Sequence, residues 1–143
     1  MRSKVENLFL YVWKSISIYL LLKVNVKVTT MNYGYEISWR LIDVNHPTSS
    51  VCGGSHYASH SVKNETCYVE TGNYELRCED SWGDGWNGGY LEIGGTKYCE
   101  DFDYNFPNDC GPNYSYGCNT LMPVNVTLNG KYFSSAIYIS KQC

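Results

Sequence analysis

Apolar and polar residues alternate with a period of two along several stretches of this chain, the pattern of strands that bury one face. In residues 36–43, Ile37, Trp39 and Leu41 share one face while Ser38 and Arg40 share the other. Residues 74–80 repeat the pattern, with Tyr74, Leu76 and Cys78 inward and Glu75, Arg77 and Glu79 toward water. Residues 46–60 are rich in turn formers, and 66–69 resume a strand-like composition. A further strand is predicted over 90–93, stopped by Gly94-Gly95, and the glycine-rich run before it is expected to link two neighbouring strands. Residues 124–128 and 131–139 flank Asn129-Gly130, which predicts a hairpin with Asn125 on its outward face. Residues 100–119 read as a long loop. With about six strands and no helical periodicity after residue 30, the expected fold is all-β, an antiparallel β-sandwich.

Residues 1–30 differ in character. A basic start, Arg2 and Lys4, precedes two apolar runs separated by Lys14, and no small-residue cleavage site follows the second run. Neither run reaches the roughly 20 apolar residues of a membrane span. The expectation is an N-terminal leader over 1–30, an imperfect signal peptide or signal anchor, followed by the domain over 31–143. The leader supplies the only expected contact with a membrane. An amphipathic leader of no special role, or a true start at Met31, are the alternatives.

Composition narrows the class. The 143 residues carry 14 Tyr, 4 Trp and 13 Gly, which suits short strands and tight turns rather than helical bundles. Net charge is -3 with the basic residues scattered, so the basic stripe that nucleic acid requires is missing and no nucleic-acid partner is expected.

The 7 cysteines, Cys52, Cys67, Cys78, Cys99, Cys110, Cys118 and Cys143, lack the spacing of zinc ligands. They read as a disulfide framework in an oxidising compartment, which places the protein outside the cell or on its surface. Spacing does not determine connectivity, and Cys52–Cys67 is offered only as a guess. The odd count leaves Cys143 for a bond between chains and a disulfide-linked oligomer, unless a partner cysteine lies beyond this sequence. Sequons at Asn64, Asn113 and Asn125 are acceptors for N-glycans if the chain enters a glycosylating compartment.

The most information lies in residues 80–90. Four glycines in the nine residues 81–89 permit positive φ and close turns. Asp80, Asp84 and Asn87 offer hard oxygen ligands, and Ca²⁺ takes six to eight of these from a backbone able to wrap around it. The segment is not an EF-hand loop, because Trp82 and Leu91 fall where that loop needs oxygen ligands. The competing reading is that Asp80, Asp84 and Asn87 accept bonds from backbone amides of the turn. Trp82 and Trp86 either plug the end of the sandwich or, with Tyr90, form an exposed platform that stacks on a sugar or a partner side chain.

The series Cys67, Gly72-Asn73-Tyr74-Glu75-Leu76 and 80–89, Asp-Ser-Trp-Gly-Asp-Gly-Trp-Asn-Gly-Gly, resembles a module found in secreted proteins of protists, algae and invertebrates. Glu36-Ile37-Ser38-Trp39 looks like the opening strand of that module. More distantly, the loop is similar to the Asp-Gly-Asp-Gly-Trp loops of jelly-roll adhesin domains that accompany some bacterial surface proteases, where the loop is associated with calcium. The match covers about residues 66–93 and lacks the Asp-x-Asp spacing of the adhesin loops. The resemblance implies a secreted, jelly-roll-like sandwich and suggests calcium as a cofactor.

Catalytic patterns are missing. His56 and His60 have the i, i+4 spacing of a metal face but lie in a Gly/Ser-rich loop, and neither HExxH nor a nucleophile elbow occurs. The chain is therefore read as no enzyme but an extracellular binding or adhesion module that recognises a glycan or a protein surface through the 80–90 loop. A structural coat or matrix protein linked between chains by disulfides, and a small secreted hydrolase, are the alternatives.

Overall fold

The structure is a computed structural model that describes residues 16–103, 120–129 and 136–142, with side chains described over 21–103 and 121–129. Its strands are β1 (Ile16–Thr29), β2 (Ile37–Asp43), β3 (Ser50–Ser55), β4 (Val62–Val69), β5 (Gly72–Asp80), β6 (Tyr90–Ile93), β7 (Thr96–Tyr98), β8 (Thr120–Leu128) and β9 (Ala136–Gln142). A 3-10 turn, Gly34–Glu36, leads into β2. All pairings are antiparallel and make two sheets, one in the order β4-β1-β6-β7 with β9 also on β1, the other in the order β3-β2-β5-β8. The expected β-sandwich is the fold.

The alternation read from the sequence is the alternation of burial. Ile37, Trp39 and Leu41 of β2, Tyr74, Leu76 and Cys78 of β5, and Val126 and Leu128 of β8 in the same sheet face the other sheet, where they join Val24, Val26 and Val28 of β1 and Leu91 and Ile93 of β6 in one core. β6 and β7 turn through Gly94-Gly95, both at positive φ, as a two-residue hairpin with Ile93 opposite Thr96 requires.

Two disulfides cross the core, each joining one sheet to the other. Cys52 of β3 bonds Cys67 of β4, the pairing offered as a guess, and Cys78 of β5 bonds Cys99 just after β7. Both are bonds within one chain. Cys110, Cys118 and Cys143 lie outside the described residues.

Four sequence expectations need correction. The domain does not begin at residue 31: β1 belongs to the sandwich, and its Leu22, Val24, Val26 and Val28 are buried while Lys23, Asn25 and Lys27 lie on the other face. Residues 1–15 of the expected leader lie outside the described residues. β8 and β9 do not pair as the hairpin expected around Asn129-Gly130: β8 pairs with β5 and β9 with β1, in different sheets, and residues 130–135 lie outside the described residues. Likewise β5 and β6 are not neighbours in one sheet, so the 81–89 loop is a crossing from one sheet to the other. The turn-rich stretch after β2 also holds a strand, β3, whose Gly53-Gly54 gave no alternating pattern. Among the described residues no helix is long and apolar enough to cross a membrane.

Candidate functional site

The site lies at the end of the sandwich where β1 and β5 finish. Antiparallel pairing sets Ile37, the first residue of β2, opposite Asp80, the last of β5, and the Ser81 amide donates to the Glu36 carbonyl at 3.1 Å. The 3-10 turn and the 81–89 loop are therefore side by side. The 56–61 loop closes the same end: the Thr30 hydroxyl donates to the Ala58 carbonyl at 2.6 Å, and the Gly34 amide donates to Ser59 Oγ at 3.1 Å.

The loop has its shape because of its glycines. Gly83, Gly85, Asn87 and Gly88 all have positive φ, a conformation that Gly, and next to it Asn, adopts at least cost. At Gly85 space is also short, since a Cβ there would lie 2.4 Å from the Phe102 carbonyl oxygen. That approach lets the Trp86 amide donate to the same oxygen at 2.7 Å.

Asp80 continues the inward alternation of β5, so its carboxylate is buried, with 1% of the residue exposed. Its Oδ1 accepts from the Trp82 amide at 3.2 Å and its Oδ2 from the Gly85 amide at 2.9 Å. Beside it stand Glu36, 6% exposed, and the half-buried Asp84, with carboxylate oxygens of the three within 4.8 Å of one another. Glu36 Oε2 is buried without a hydrogen-bond partner.

Electrostatics make this arrangement costly when empty. Two unit charges at such a separation repel by about 3 kcal/mol at an effective dielectric constant near 20. Burial pushes the Glu36 carboxyl above its ordinary pKa, the nearby Tyr35 hydroxyl draws it back, and the Asp84 and Asp80 charges push it further up. Burial also raises Asp80, against the pull of the backbone amides of Trp82, Gly85 and Gly83. The described ion pairs, Lys27–Glu92, Arg40–Glu79, His46–Asp43 and Arg77–Glu75, all lie elsewhere and bring no cation to the cluster. A proton or a metal cation relieves the repulsion.

The residues singled out in the sequence separate here. Asp80 and Asp84 come together as candidate ligands, and Glu36 joins them. Asn87 acts differently from the expected ligand: its amide nitrogen donates to Asp84 Oδ1 at 3.3 Å and to the Gly85 carbonyl at 3.2 Å, which holds Asp84 in place. Trp82 is 43% exposed, whereas Trp86 is fully buried and its indole nitrogen donates to the Glu79 carbonyl at 3.0 Å. Tyr90 is half-buried on β6, with Lys97 Nζ 4.0 Å from its ring centroid. A platform of Trp82, Trp86 and Tyr90 is thus not what the loop presents, since Trp86 is committed to the core. The exposed aromatic neighbours at this end are instead Tyr33 and Tyr35, packed edge to face at 6.4 Å on either side of Gly34.

Glu36 and the two tyrosines escaped the sequence reading because nothing local marks them; only the pairing of Ile37 with Asp80 brings them to the loop. Of the sequons, Asn64 on β4 and Asn125 on β8 are exposed on edge strands, and Asn113 lies outside the described residues. His56 and His60, the pair at i, i+4 spacing, are both exposed: His56 bonds its neighbour Ser55 at 2.6 Å, and His60 lies in the 56–61 loop. No family model matches the chain, and neither curated proteins nor solved structures include a match to it.

Proposed function

We propose that this protein is an extracellular binding or adhesion module that recognises a glycan or a protein surface with one end of its sandwich, the 80–90 loop together with the 3-10 turn. The observation that carries this reading is the set of exposed aromatic side chains, Trp82, Tyr33 and Tyr35, held on short turns that are bonded backbone to backbone through Ser81 and Glu36. Loops fixed to a rigid scaffold are where binding residues concentrate, and flat aromatic faces stack on sugar rings and on partner side chains at small entropic cost. Disulfides that join the sheets within one chain, and exposed sequon asparagines at 64 and 125, support an oxidising and glycosylating compartment. Calcium is the proposed cofactor of the loop.

A glycan array and tryptophan fluorescence titration of the full oxidised chain test the reading. Wild type is expected to bind a subset of glycans with a fluorescence change, and Trp82→Ala to lose binding at unchanged melting temperature. A ligand bound equally well by Trp82→Ala would place recognition elsewhere on the molecule.

A further inference from the structure

We propose that Glu36, Asp80 and Asp84 form a calcium site, and that the ion fastens the turn carrying Tyr33 and Tyr35 to the loop carrying Trp82. Two oxygens bound on opposite sides of one Ca²⁺, at 2.3 to 2.6 Å each, are about 4.6 to 5.2 Å apart. One oxygen from each of the three carboxylates lies within 4.8 Å of the other two, the range that a single ion spans. Mg²⁺ demands a near-ideal octahedron and keeps several of its waters, whereas Ca²⁺ accepts an irregular set of protein oxygens, which favours the larger ion.

Two observations separate this cluster from an ordinary group of surface acids. Glu36 is more than nine-tenths buried, yet its Oε2 has no hydrogen-bond partner, so a desolvated acceptor stands beside two other carboxylates. Asp80 and Asp84 are already oriented: backbone amides of Trp82 and Gly85 hold the first and the Asn87 amide holds the second. Each carboxylate oxygen that accepts one such bond keeps a lone pair for an ion. The donors are all oxygens, with no thiolate or imidazole among them, and that set suits calcium rather than zinc or copper. Asp84 is the least buried of the three, so the cluster opens on its side, where water or a ligand hydroxyl completes the coordination.

The consequence is mechanical. Glu36 comes from the turn before β2, Asp80 from the end of β5 and Asp84 from the loop itself, so the ion ties three pieces of backbone at one point. The aromatic side chains adjoin those same pieces: Tyr35 precedes Glu36, and Trp82 lies between Asp80 and Asp84 in the chain. Occupancy of the site therefore sets the spacing of the proposed recognition surface. This role for the ion rests on the function proposed above; the ion site does not.

The test is calorimetry and thermal melting of the full oxidised chain after chelator treatment, titrated with CaCl₂ and, separately, MgCl₂. Wild type is expected to bind one Ca²⁺ saturably, to melt at a higher temperature when bound, and to bind Mg²⁺ at least tenfold more weakly. Glu36→Gln keeps the shape and removes one charge. It is expected to lose at least tenfold in calcium affinity while the metal-free variant melts no lower than metal-free wild type. Absence of calcium binding in wild type up to millimolar concentration, or unchanged affinity in Glu36→Gln, overturns the site. Lower metal-free stability in Glu36→Gln, with no calcium effect in either protein, overturns it as well and makes Glu36 a protonated structural group. Calcium binding without any ligand for the Trp82 surface sinks the proposed function and leaves the ion site standing.

Discussion

The indole nitrogen of Trp39 donates to the Tyr57 hydroxyl at 2.7 Å, and that hydroxyl donates in turn to Glu65 Oε1 at 2.8 Å. Trp39 is on β2 of one sheet and Glu65 on β4 of the other, so Tyr57, from the loop between β3 and β4, makes a polar bridge across the sandwich beside the Cys52–Cys67 bond. Replacing Tyr57 by Phe strands a buried donor on Trp39. The expected cost is about 1 to 3 kcal/mol, read by urea unfolding with the disulfides intact; a loss below 0.5 kcal/mol, about the scatter of neutral substitutions, would show that water takes over the bond.

The same residue gives a pH dependence. Burial, and then the bond to Glu65, raise the Tyr57 phenol well above its ordinary value, while Trp39 acts in the opposite direction. In the unfolded chain the phenol ionises near pH 10, whereas in the folded protein it stays neutral to higher pH. Stability from this group is complete below about pH 10 and falls as pH rises beyond it. Tyr74 is shifted the same way by burial, so Tyr57→Phe should reduce the alkaline decline in stability without abolishing it.

Gly85 and Gly88 have nearly the same φ, +84° and +86°, but different surroundings. A Cβ at Gly88 meets only Met31 Cγ at 3.8 Å, whereas one at Gly85 collides with the Phe102 carbonyl and with the backbone of Asp103. Gly88→Ala should cost roughly the 1 to 2 kcal/mol of the left-handed conformation, and Gly85→Ala distinctly more. Chemical denaturation of the two variants compares them directly, and equal losses would mean that the 102–103 segment yields freely.

Each disulfide closes a loop in the unfolded chain as well as joining the sheets. With sequence separations of 15 and 21 residues, chain entropy assigns each bond a contribution of about 3 kcal/mol. Paired replacement of Cys52 and Cys67, or of Cys78 and Cys99, by Ala should lower stability by that order. Reduction of wild type should reproduce the combined loss, and a melting temperature indifferent to reductant would contradict it.

A chain that starts at Met31 lacks all of β1, the strand that pairs with β4, β6 and β9. It also lacks Leu22, Val24, Val26 and Val28, four buried side chains of one layer of the core. Such a chain should show no cooperative unfolding and poor chemical-shift dispersion by NMR, whereas a chain starting at residue 16 keeps the whole strand.

Local pattern was enough for much of this protein. The inward and outward positions of β2 and β5, the end of β6 at Gly94-Gly95 and the glycine-dependent loop follow from period-two alternation and positive-φ preference, which act between residues adjacent in the chain. The alternation in Lys23-Val24-Asn25-Val26-Lys27-Val28 was equally legible, but the apolar runs before it suggested a leader, and β1 was lost with them. Tertiary structure alone decided which strands pair: Asn129-Gly130 favours a hairpin, yet β8 pairs with β5 and β9 with β1, in different sheets, because long-range pairing outweighs a local turn preference. It also decided which tryptophan is surface and which is core: Trp86 is buried with its bonds to Glu79 and Phe102, partners outside the loop, while Trp82 stays exposed. Glu36 became part of the site in the same way, when antiparallel register set Ile37 against Asp80; no property of residue 36 in isolation announces that partner.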